Sequence, residues 1–550
     1  MTSLKYFLSC SILIGLILGM SACGSTQTPP TSEEPERTIT VPQEAESAPE
    51  ETAGGEQTFT VAVGRDSGVL NPHDYKSNFP ALTLVYESLV NYAADGSIEP
   101  ALAERWEVSD DGLEWTFHLR QGVTFHDGTP FNAEAVKWNL ERWIGEERHS
   151  WIPTANEVES IDTPDDHTVV LHMKKYFYSV LQDLTIVRPV RFLSPAAVDD
   201  KGEFVAAIGT GPWKLESSVS EGRAVFVPYE AYWGEKPQLS RVIFEVIADP
   251  EARVAAFLDG KVDLIGGEYI GGIPPEAITT LEADADTEIL QAEGTATYLV
   301  RMNSERPPFD DQQVREAFNL VIDREAIASD VFNGLAEPAQ GLFPPNVPFA
   351  SNPHPELYSY DVERARQLLE EAGWTLNGDG ILEKEEQPFE VEVVVDGAIF
   401  PQAESMVNQL RTQLQEVGIQ MEIRITDFDG WTDALRKGDF HLATDLTYGA
   451  PYDPHSTLTS VFQSGLSADS TQIFTDPTLD KLISEVLVTR TDEERQSKYD
   501  QIFEYLDEQV VIAPIVYSRR VYALNKAVQG FELAGTEYEL NLVGVHIVSP

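Results

Sequence analysis

The sequence predicts an α/β protein with more than one lobe. Strand-like and helix-like segments alternate along most of the chain, and one strand–helix–strand run lies in its second half. About 490 residues follow a polar N-terminal segment, and a folded region of that length normally divides into two or more lobes. No short-period repeat is present, which excludes a solenoid.

In the first half of the chain the pattern predicts two strands and a helix. The strands cover 58–64 (TFTVAVG) and 113–119 (LEWTFHL), since both alternate in polarity and are rich in β-branched or aromatic residues. A helix is expected over 132–144, with Asn132 as its N-cap.

In the second half, helices are predicted over 311–332 and over 361–373. The latter begins at the cap Asp361 and ends at Gly373.

A βαβ unit follows, in which a helix over 404–418 separates strands at 389–395 and 419–425. The intervening NGDG (377–380) resembles a calcium loop only faintly, and a turn is expected there.

The N-terminus predicts export and lipid anchoring. Residues 1–22 combine a lysine, a short apolar run and small residues, which is typical of a secretory signal peptide. MSAC resembles a bacterial lipobox with Cys23 as the lipidated residue. Residues 23–57 are rich in Pro, Glu, Ser and Thr and are predicted to form a flexible linker. The expected location is extracytoplasmic, with membrane attachment through the N-terminal lipid.

Cysteine content and charge exclude several kinds of site. The other cysteine, Cys10, lies in the predicted signal peptide, so the mature chain has no disulfide and no thiolate metal site. A net charge of −53, from 91 acidic and 38 basic residues, argues against nucleic acid as a partner. GxSxG, HExxH, P-loop and CxxC motifs are all missing from the sequence. The sequence therefore predicts a binding protein and not an enzyme, with no cofactor of its own beyond the lipid.

From about Thr58 to the C-terminus, the chain resembles the solute-binding proteins of ABC importers in the peptide/nickel class, family 5. The resemblance is carried by the stretch 87–136 and by GTGPWKL, YWGEKP, DLTYGAPYDPH and VIAPIVY. It implies a two-lobed periplasmic-binding-protein fold of the cluster C type, a ligand cleft between the lobes, and an ABC permease complex as partner.

The same resemblance suggests the division of the chain between the lobes. Residues 58–298 would form the first part of lobe I, 299–511 lobe II, and 512–550 the C-terminal return to lobe I. The crossings between the lobes are expected near 298–303 and 512–518.

Within the family, the nickel-binding branch, which takes nickel as a complex with small carboxylate chelators, is the most similar. The shared stretches are LNPHDY (70–75), ERHSW (147–151), VRPVRF (187–192) and YGAPYDP. Peptide-binding relatives place an aspartate for the peptide amine where this chain has Ala450, which disfavours the usual peptide pose because a buried ammonium would lack its counter-ion.

The similarity to the nickel branch implies six ligand-binding residues. Arg188 and Arg148 match arginines that meet the chelator, and guanidinium groups grip carboxylates in bidentate fashion. Aromatic side chains would line the cleft. They are Trp151, Tyr75, Tyr452 and Tyr448, the last standing where a tryptophan is usual.

The metal ligand of that branch is missing. Its coordinating histidine is replaced here by Gly465 or Leu466, and His455 is interpreted as a structural residue. A metal would be held by its own metallophore or by another histidine such as His149 or His546. The metal ligands therefore stay unknown at this stage.

The predicted function is capture of a nickel–chelator or metal–metallophore complex for import, with nickel or another transition metal as part of the ligand. Two alternatives stay open. One is a binding protein for small peptides or amino-acid-derived solutes, and the other is a ligand-sensing lipoprotein.

Overall fold

The computed structural model describes residues 57–219, 222–397, 402–464, 474 and 476–548. The predicted signal peptide, Cys23 and the linker up to Glu56 lie outside these residues, as do Gly465 and Leu466. Among the described helices, none is long and apolar enough to cross a membrane.

Within the described residues the α-helices are α1 (Phe79–Val85), α2 (Ala133–Leu140), α3 (Pro153–Glu157), α4 (Val180–Asp183), α5 (Pro250–Leu258), α6 (Ile278–Ala283), α7 (Gln312–Val321), α8 (Arg324–Asp330), α9 (Val362–Glu371), α10 (Ala403–Glu416), α11 (Phe428–Lys437), α12 (His455–Phe462), α13 (Pro477–Val486) and α14 (Asp492–Gln509).

The strands of the same part of the chain are β1 (Thr58–Val63), β2 (Val90–Tyr92), β3 (Ile98–Pro100), β4 (Ala103–Val108), β5 (Glu114–Leu119), β6 (Val158–Asp165), β7 (Thr168–Met173), β8 (Trp213–Ser218), β9 (Arg223–Pro228), β10 (Arg241–Val246), β11 (Leu264–Gly266), β12 (Thr287–Met302), β13 (Ala336–Pro338), β14 (Thr375–Leu376), β15 (Leu382–Lys384), β16 (Gln387–Pro388), β17 (Glu390–Asp396), β18 (Gln420–Thr426), β19 (Leu442–Leu446), β20 (Ile512–Asn525), β21 (Val528–Gln529) and β22 (His546–Ile547).

One mixed sheet organises the molecule. Its strands follow the order β18-β17-β19-β12-β20-β11-β1-β10-β9-β8, and β13 adds to β20. β1 pairs in parallel with β10 and β11, and β17 with β18 and β19. A separate antiparallel sheet has the order β4-β5-β7-β6.

Two long strands, β12 and β20, connect separate cores. The C-terminal part of β12 pairs with residues 512–517 and packs with the cluster that contains Val300, Phe318 and Val393. Its N-terminal part pairs with residues 519–525, whose Val521 and Ala523 pack with a different cluster. The ladder loses its register between Glu293 and Thr297, at the passage from one core to the other.

The largest core does not follow the predicted division of the chain. It is built around residues such as Phe59, Trp143 and Phe226, yet it also contains Leu458 and Tyr499 from the segment predicted to form lobe II. The boundaries 58–298, 299–511 and 512–550 stay a prediction.

Most predicted elements are present, and one helix prediction is wrong in detail. Asn132 caps α2 through its side chain, which accepts from the Ala135 N–H, and β17, α10 and β18 form the expected βαβ unit. The single helix expected over 311–332 is two helices, α7 and α8. The chain is extended at Ile322, and the Asp323 carboxylate then caps α8 by accepting from the Ala326 N–H.

Candidate functional site

The candidate site collects side chains from segments far apart in the sequence. Tyr75 lies on the loop between β1 and α1, and Trp151 follows a one-turn 3₁₀ helix at Glu147–His149. Arg188 lies after α4, and the loop between β19 and α12 carries Tyr448 and Tyr452. Ring contacts and hydrogen bonds join these segments.

Arg188 is held by backbone carbonyls and an aromatic ring. Its Nη1 donates to the carbonyl oxygens of Tyr75 at 2.6 Å and Ser77 at 2.9 Å. Its guanidinium lies over the ring of Phe79, with 3.6 Å between Cζ and the ring centroid. These contacts fix the orientation of the planar group before any ligand arrives.

No carboxylate pairs with Arg188 among the residues that the structure describes. The residue is only 9% exposed, and its Nε is buried without a hydrogen-bond partner. Burial is the largest cause that lowers its pKa, and the nearby Arg65 lowers the pKa further. A buried guanidinium with unused donors has the chemistry to accept an anion.

Three of the predicted aromatic residues form one wall with Tyr538. The rings of Trp151 and Tyr452 stack with centroids 6.0 Å apart, and Tyr448 meets Trp151 edge-on at 6.1 Å. Tyr538 packs on Tyr452 at 4.8 Å, and its hydroxyl donates to the Tyr448 carbonyl. The wall presents flat apolar faces next to polar hydroxyl groups.

Tyr75 belongs to a short hydrogen-bond chain. Its hydroxyl accepts from Trp151 Nε1 at 3.0 Å and lies 2.6 Å from His149 Nδ1. Its side chain is 41% exposed, yet it lies deep enough among neighbours for desolvation to raise its pKa to about 12. Burial, assisted by the charge of Arg148, lowers the pKa of His149 to about 4, so the imidazole is neutral near pH 7. A neutral imidazole carries its proton on one of its two ring nitrogens, so the tautomer sets the direction of the hydrogen bond between Nδ1 and the Tyr75 hydroxyl.

Arg148 is near the site but is placed differently from Arg188. Its side chain is exposed, and its charge reaches His149 and Tyr75, whose pKa values it lowers. Arg65 is likewise exposed, on the loop after β1. The structure thus places three arginines close together around Tyr75 and Arg188, two of them exposed.

Hydrogen bonds between Asp453, Thr457 and the loop backbone hold the loop that carries Tyr448 and Tyr452. The Asp453 carboxylate accepts from the Gly449 N–H at 2.7 Å and from the Thr457 hydroxyl, while Thr457 Oγ1 accepts from the Tyr448 N–H at 3.1 Å. Burial raises the pKa of Asp453 to about 7. These contacts position the two tyrosines.

The other residues singled out in this region take structural positions. His455 Nε2 lies 2.8 Å from Asp183 Oδ1, and both side chains are fully buried. Ala450 is buried and donates its N–H to Thr295 Oγ1 at 2.7 Å. His546 contacts the carbonyl of Gly544 in the region of β22. In the described part of the chain, no group of three or more His, Cys, Asp or Glu residues could hold one metal ion.

Sequence reasoning missed Phe79, Tyr538, His149 as the partner of Tyr75, and Arg65. Phe79 and Tyr538 read as ordinary aromatic residues of a helix start and a C-terminal loop, and nothing in their spacing connects them with Arg188. Arg65 follows β1 directly, and residues at the carboxyl ends of strands often reach ligands. The position of Arg65 at the end of β1 was the one sequence signal that pointed to any of these residues.

Comparison with known proteins identifies the family. Residues 97–469 match the family described as bacterial extracellular solute-binding proteins, family 5 middle. The chain is 34% identical over 473 residues to the nickel-binding periplasmic protein of Escherichia coli (strain K12), covering 84% of this chain and 90% of that one. It is 27% identical over 487 residues to a glutathione-binding protein of the same strain, covering 86% and 91%.

A solved structure agrees with these matches. The NikA protein of Brucella suis in complex with Fe(III)-EDTA superposes with a TM-score of 0.83 at 32% identity, covering 89% of this chain and 99% of that one. The predictions of an α/β two-lobed fold, an extracytoplasmic location and a binding protein that is not an enzyme are confirmed by this kinship. The chain belongs to family 5 of the bacterial extracellular solute-binding proteins, the ligand-capturing components of ABC importers.

Proposed function

We propose that this protein captures a transition metal, nickel foremost, as a complex with a small carboxylate-bearing chelator and delivers it to an ABC permease. The observation that carries the proposal is Arg188, a buried guanidinium with unused donors and no carboxylate partner among the described residues.

An anionic ligand accounts for the state of Arg188. Keeping a cation in a desolvated position costs free energy unless an opposite charge joins it. The backbone carbonyls of Tyr75 and Ser77 engage Nη1, and Nε is buried, which leaves Nη2 as the donor that a carboxylate can reach. Arg148 and Arg65 add positive charge around Tyr75 and Arg188. In a chain with a net charge of −53, this local excess attracts anions against the overall field.

The aromatic wall supports a flat, compact ligand. The rings of Trp151, Tyr452 and Tyr448 pack together, and Tyr452 lies near Arg188. Burial raises the pKa of both tyrosines, so their hydroxyl groups stay neutral. Neutral hydroxyls can donate to the outer oxygens of a metal chelate. The chelator's own donors would hold the metal, and the protein would grip the chelate by its carboxylates.

A small peptide or amino-acid-derived solute is the second candidate, favoured by the glutathione-binding relative. Ala450 stands against the usual peptide pose, because its methyl group cannot pair with a peptide ammonium. Relatives in the nickel-binding branch have a metal-coordinating histidine where this chain has the residues at 465 and 466. Coordination of the metal by the chelator is therefore the simplest arrangement.

Two further features complete the proposal. Cys23 would carry the lipid that keeps the protein at the membrane, with residues 23–57 as its tether. The lobes would close over the ligand about the irregular stretch of β12 and its partner β20.

The test begins with the ligand that co-purifies with the native protein. Native mass spectrometry and metal analysis should find nickel or another transition metal with a carboxylate-rich small molecule. Calorimetry should then show tighter binding of nickel complexes of histidine or aminopolycarboxylates than of the metal-free chelators or of dipeptides. A bound peptide without metal would refute the proposal and establish the second candidate.

A further inference from the structure

Arg65 is an exposed arginine beside the candidate site, on the loop that follows β1. Two residues later in the chain, the Ser67 carbonyl accepts from the Asn78 N–H at 3.1 Å. Asn78 directly follows Ser77, whose carbonyl receives Nη1 of Arg188. The loop of Arg65 is therefore bonded to the backbone segment that holds the buried arginine.

The backbone on both sides of Arg65 is held in place. Before it, the Gly64 N–H donates to the Ile270 carbonyl at 2.6 Å. After it, Gly68 has a φ of +70° and approaches Ser77 so closely that a Cβ would stand 3.0 Å from the Ser77 Cα. A side chain larger than glycine would separate the two segments. The fold thus fixes where the Arg65 side chain begins and leaves the side chain itself exposed.

Arg65 and Arg148 have no protein partner for their charge. Elsewhere arginines are commonly paired, as Arg223 is with Glu245. Within the part of the chain that the structure describes, neither the Arg65 nor the Arg148 side chain forms a hydrogen bond or an ion pair. Acidic partners are abundant, since the chain has 91 acidic and 38 basic residues. Unpaired arginines at one place therefore leave that place positive against an acidic background.

The two exposed arginines act on different parts of the site. Burial is the largest cause that lowers the pKa of Arg188, and the charge of Arg65 lowers it further. The charge of Arg148 instead acts on Tyr75 and His149. Two guanidinium groups held near each other repel, and an anion that meets both of them removes that cost. Arg65 is thus placed as a second cation beside the buried one.

Arg188 by itself offers little to a second carboxylate. Its Nη1 is engaged by two backbone carbonyls and its Nε is buried, so Nη2 is the donor that a ligand reaches. The guanidinium donors of Arg65 are all unused within the described residues. A ligand with one carboxylate on Arg188 therefore meets further N–H donors at Arg65.

We propose that Arg65 is a specificity-determining residue of the site, which binds a second free carboxylate of the ligand beside the one at Arg188. Resting on the proposed function, the inference specifies the cargo as a chelate with a net negative charge, in preference to a neutral complex of nickel with two amino acids. The two carboxylates of such a neutral complex cancel the charge of the metal, so it gains little from a further cation.

The expected effect is modest because Arg65 is exposed. Ion pairs in contact with water change affinity by up to about fivefold. Salt weakens such pairs, since the Debye length shortens from about 30 Å at 0.01 M to about 10 Å at 0.1 M. The unliganded protein should keep its unfolding temperature in Arg65→Gln, because the substitution breaks no contact with a described residue.

Calorimetry at neutral pH compares two nickel chelates that differ in one group. The first is nickel nitrilotriacetate with a carboxyethyl arm, and the second carries that arm as its carboxamide. Wild type should bind the carboxylate form about fivefold more tightly at low salt, and the preference should shrink as salt is added. Arg65→Gln should lose most of the preference. Arg223→Gln removes the same charge from an exposed arginine that is already paired, and should keep it.

Two outcomes of this comparison would overturn the inference. One is an equal affinity of wild type for the two arms, or an unchanged preference in Arg65→Gln. The other is an equal loss of preference in Arg148→Gln, which would assign the effect to the shared positive charge and not to Arg65.

A metal-free measurement separates this inference from the function on which it rests. Thermal unfolding is followed with propane-1,2,3-tricarboxylate and with glutarate, which lacks the central carboxylate, at equal ionic strength. The tricarboxylate should raise the unfolding temperature of wild type more than glutarate does, and the difference should shrink in Arg65→Gln. If no nickel chelate binds while this difference is seen, the proposed cargo is wrong and the role of Arg65 stands. If the chelates bind but neither pair of probes is discriminated, the metal-chelate function stands and Arg65 does not determine specificity.

Discussion

Replacing Arg188 tests the candidate site most directly. Removing one partner of a buried charge contact costs about 2–5 kcal/mol, which corresponds to a fall in affinity of roughly 30- to several thousand-fold. The large end of that range is expected here, because Arg188 is 9% exposed and a bound carboxylate would be desolvated with it. Arg188→Ala should therefore nearly abolish binding of a nickel–chelator complex.

The conservative variant should not restore binding. Arg188→Lys keeps the charge, but an ammonium has no planar fork for a carboxylate and cannot lie flat over Phe79 as the guanidinium does. The empty protein should change little in thermal stability on substitution to Ala. The two hydrogen bonds to Tyr75 and Ser77 are lost, but an unpaired buried charge is removed at the same time.

Calorimetry with nickel–histidine and nickel–aminopolycarboxylate complexes measures the effect. Arg223→Ala is the matched control, since Arg223 is an exposed arginine on β9 that already has a carboxylate partner, Glu245 on β10. Its affinity should equal that of wild type. Equal affinity of wild type and Arg188→Ala, with both proteins folded, would refute the assignment of the site.

Four further outcomes are expected. Cys23→Ser should release the protein from membranes in fractionation without changing ligand affinity; a variant that stays bound would contradict the anchor. Small-angle scattering should show a smaller radius of gyration with saturating ligand, and an unchanged radius would argue against closure of the lobes. His455→Ala should lower the free energy of unfolding by about 3–5 kcal/mol, because it leaves the buried Asp183 carboxylate without its imidazole partner. Affinity should change far less than in Arg188→Ala, and a severe loss of affinity in the folded variant would instead make His455 a metal ligand. As the pH falls from about 6.5 to 4, the wild type should lose stability more steeply than His149→Gln. The folded-state pKa of His149 is lowered to about 4, so the unfolded chain takes up the proton first. If the free energies of unfolding from urea titrations fall in parallel for the two proteins over this range, that pKa is contradicted.

The local elements could be predicted from the sequence because their signals are local. The cap at Asn132 and the βαβ unit of β17, α10 and β18 depend on residues a few positions apart, and the structure contains them. The wrong prediction of a single helix over 311–332 also comes from relying on local signals. A continuous helical pattern hides the cap at Asp323, because aspartate is also tolerated on a helix surface, and only the extended backbone at Ile322 shows the break.

The six predicted ligand residues came from family resemblance, and their arrangement could be seen only in the folded chain. The structure joins Tyr75, Trp151, Tyr448 and Tyr452 by ring contacts and hydrogen bonds, and leaves Arg148 exposed beside them. The sequence does not distinguish Arg148 from a buried arginine, because burial depends on residues that approach from distant segments.

The sequence by itself determined the class of the protein, its expected export signal and its strong negative charge. The class follows from the resemblance to a known family, and the export signal and the charge follow from the N-terminal pattern and from composition. Only the tertiary structure decided that Arg188 is buried without a carboxylate partner in the described residues. The physical reason is that pairing and desolvation are set by contacts across the fold. Arg188 and Tyr75 are 113 positions apart in the chain, and only the fold places the guanidinium against the Tyr75 carbonyl.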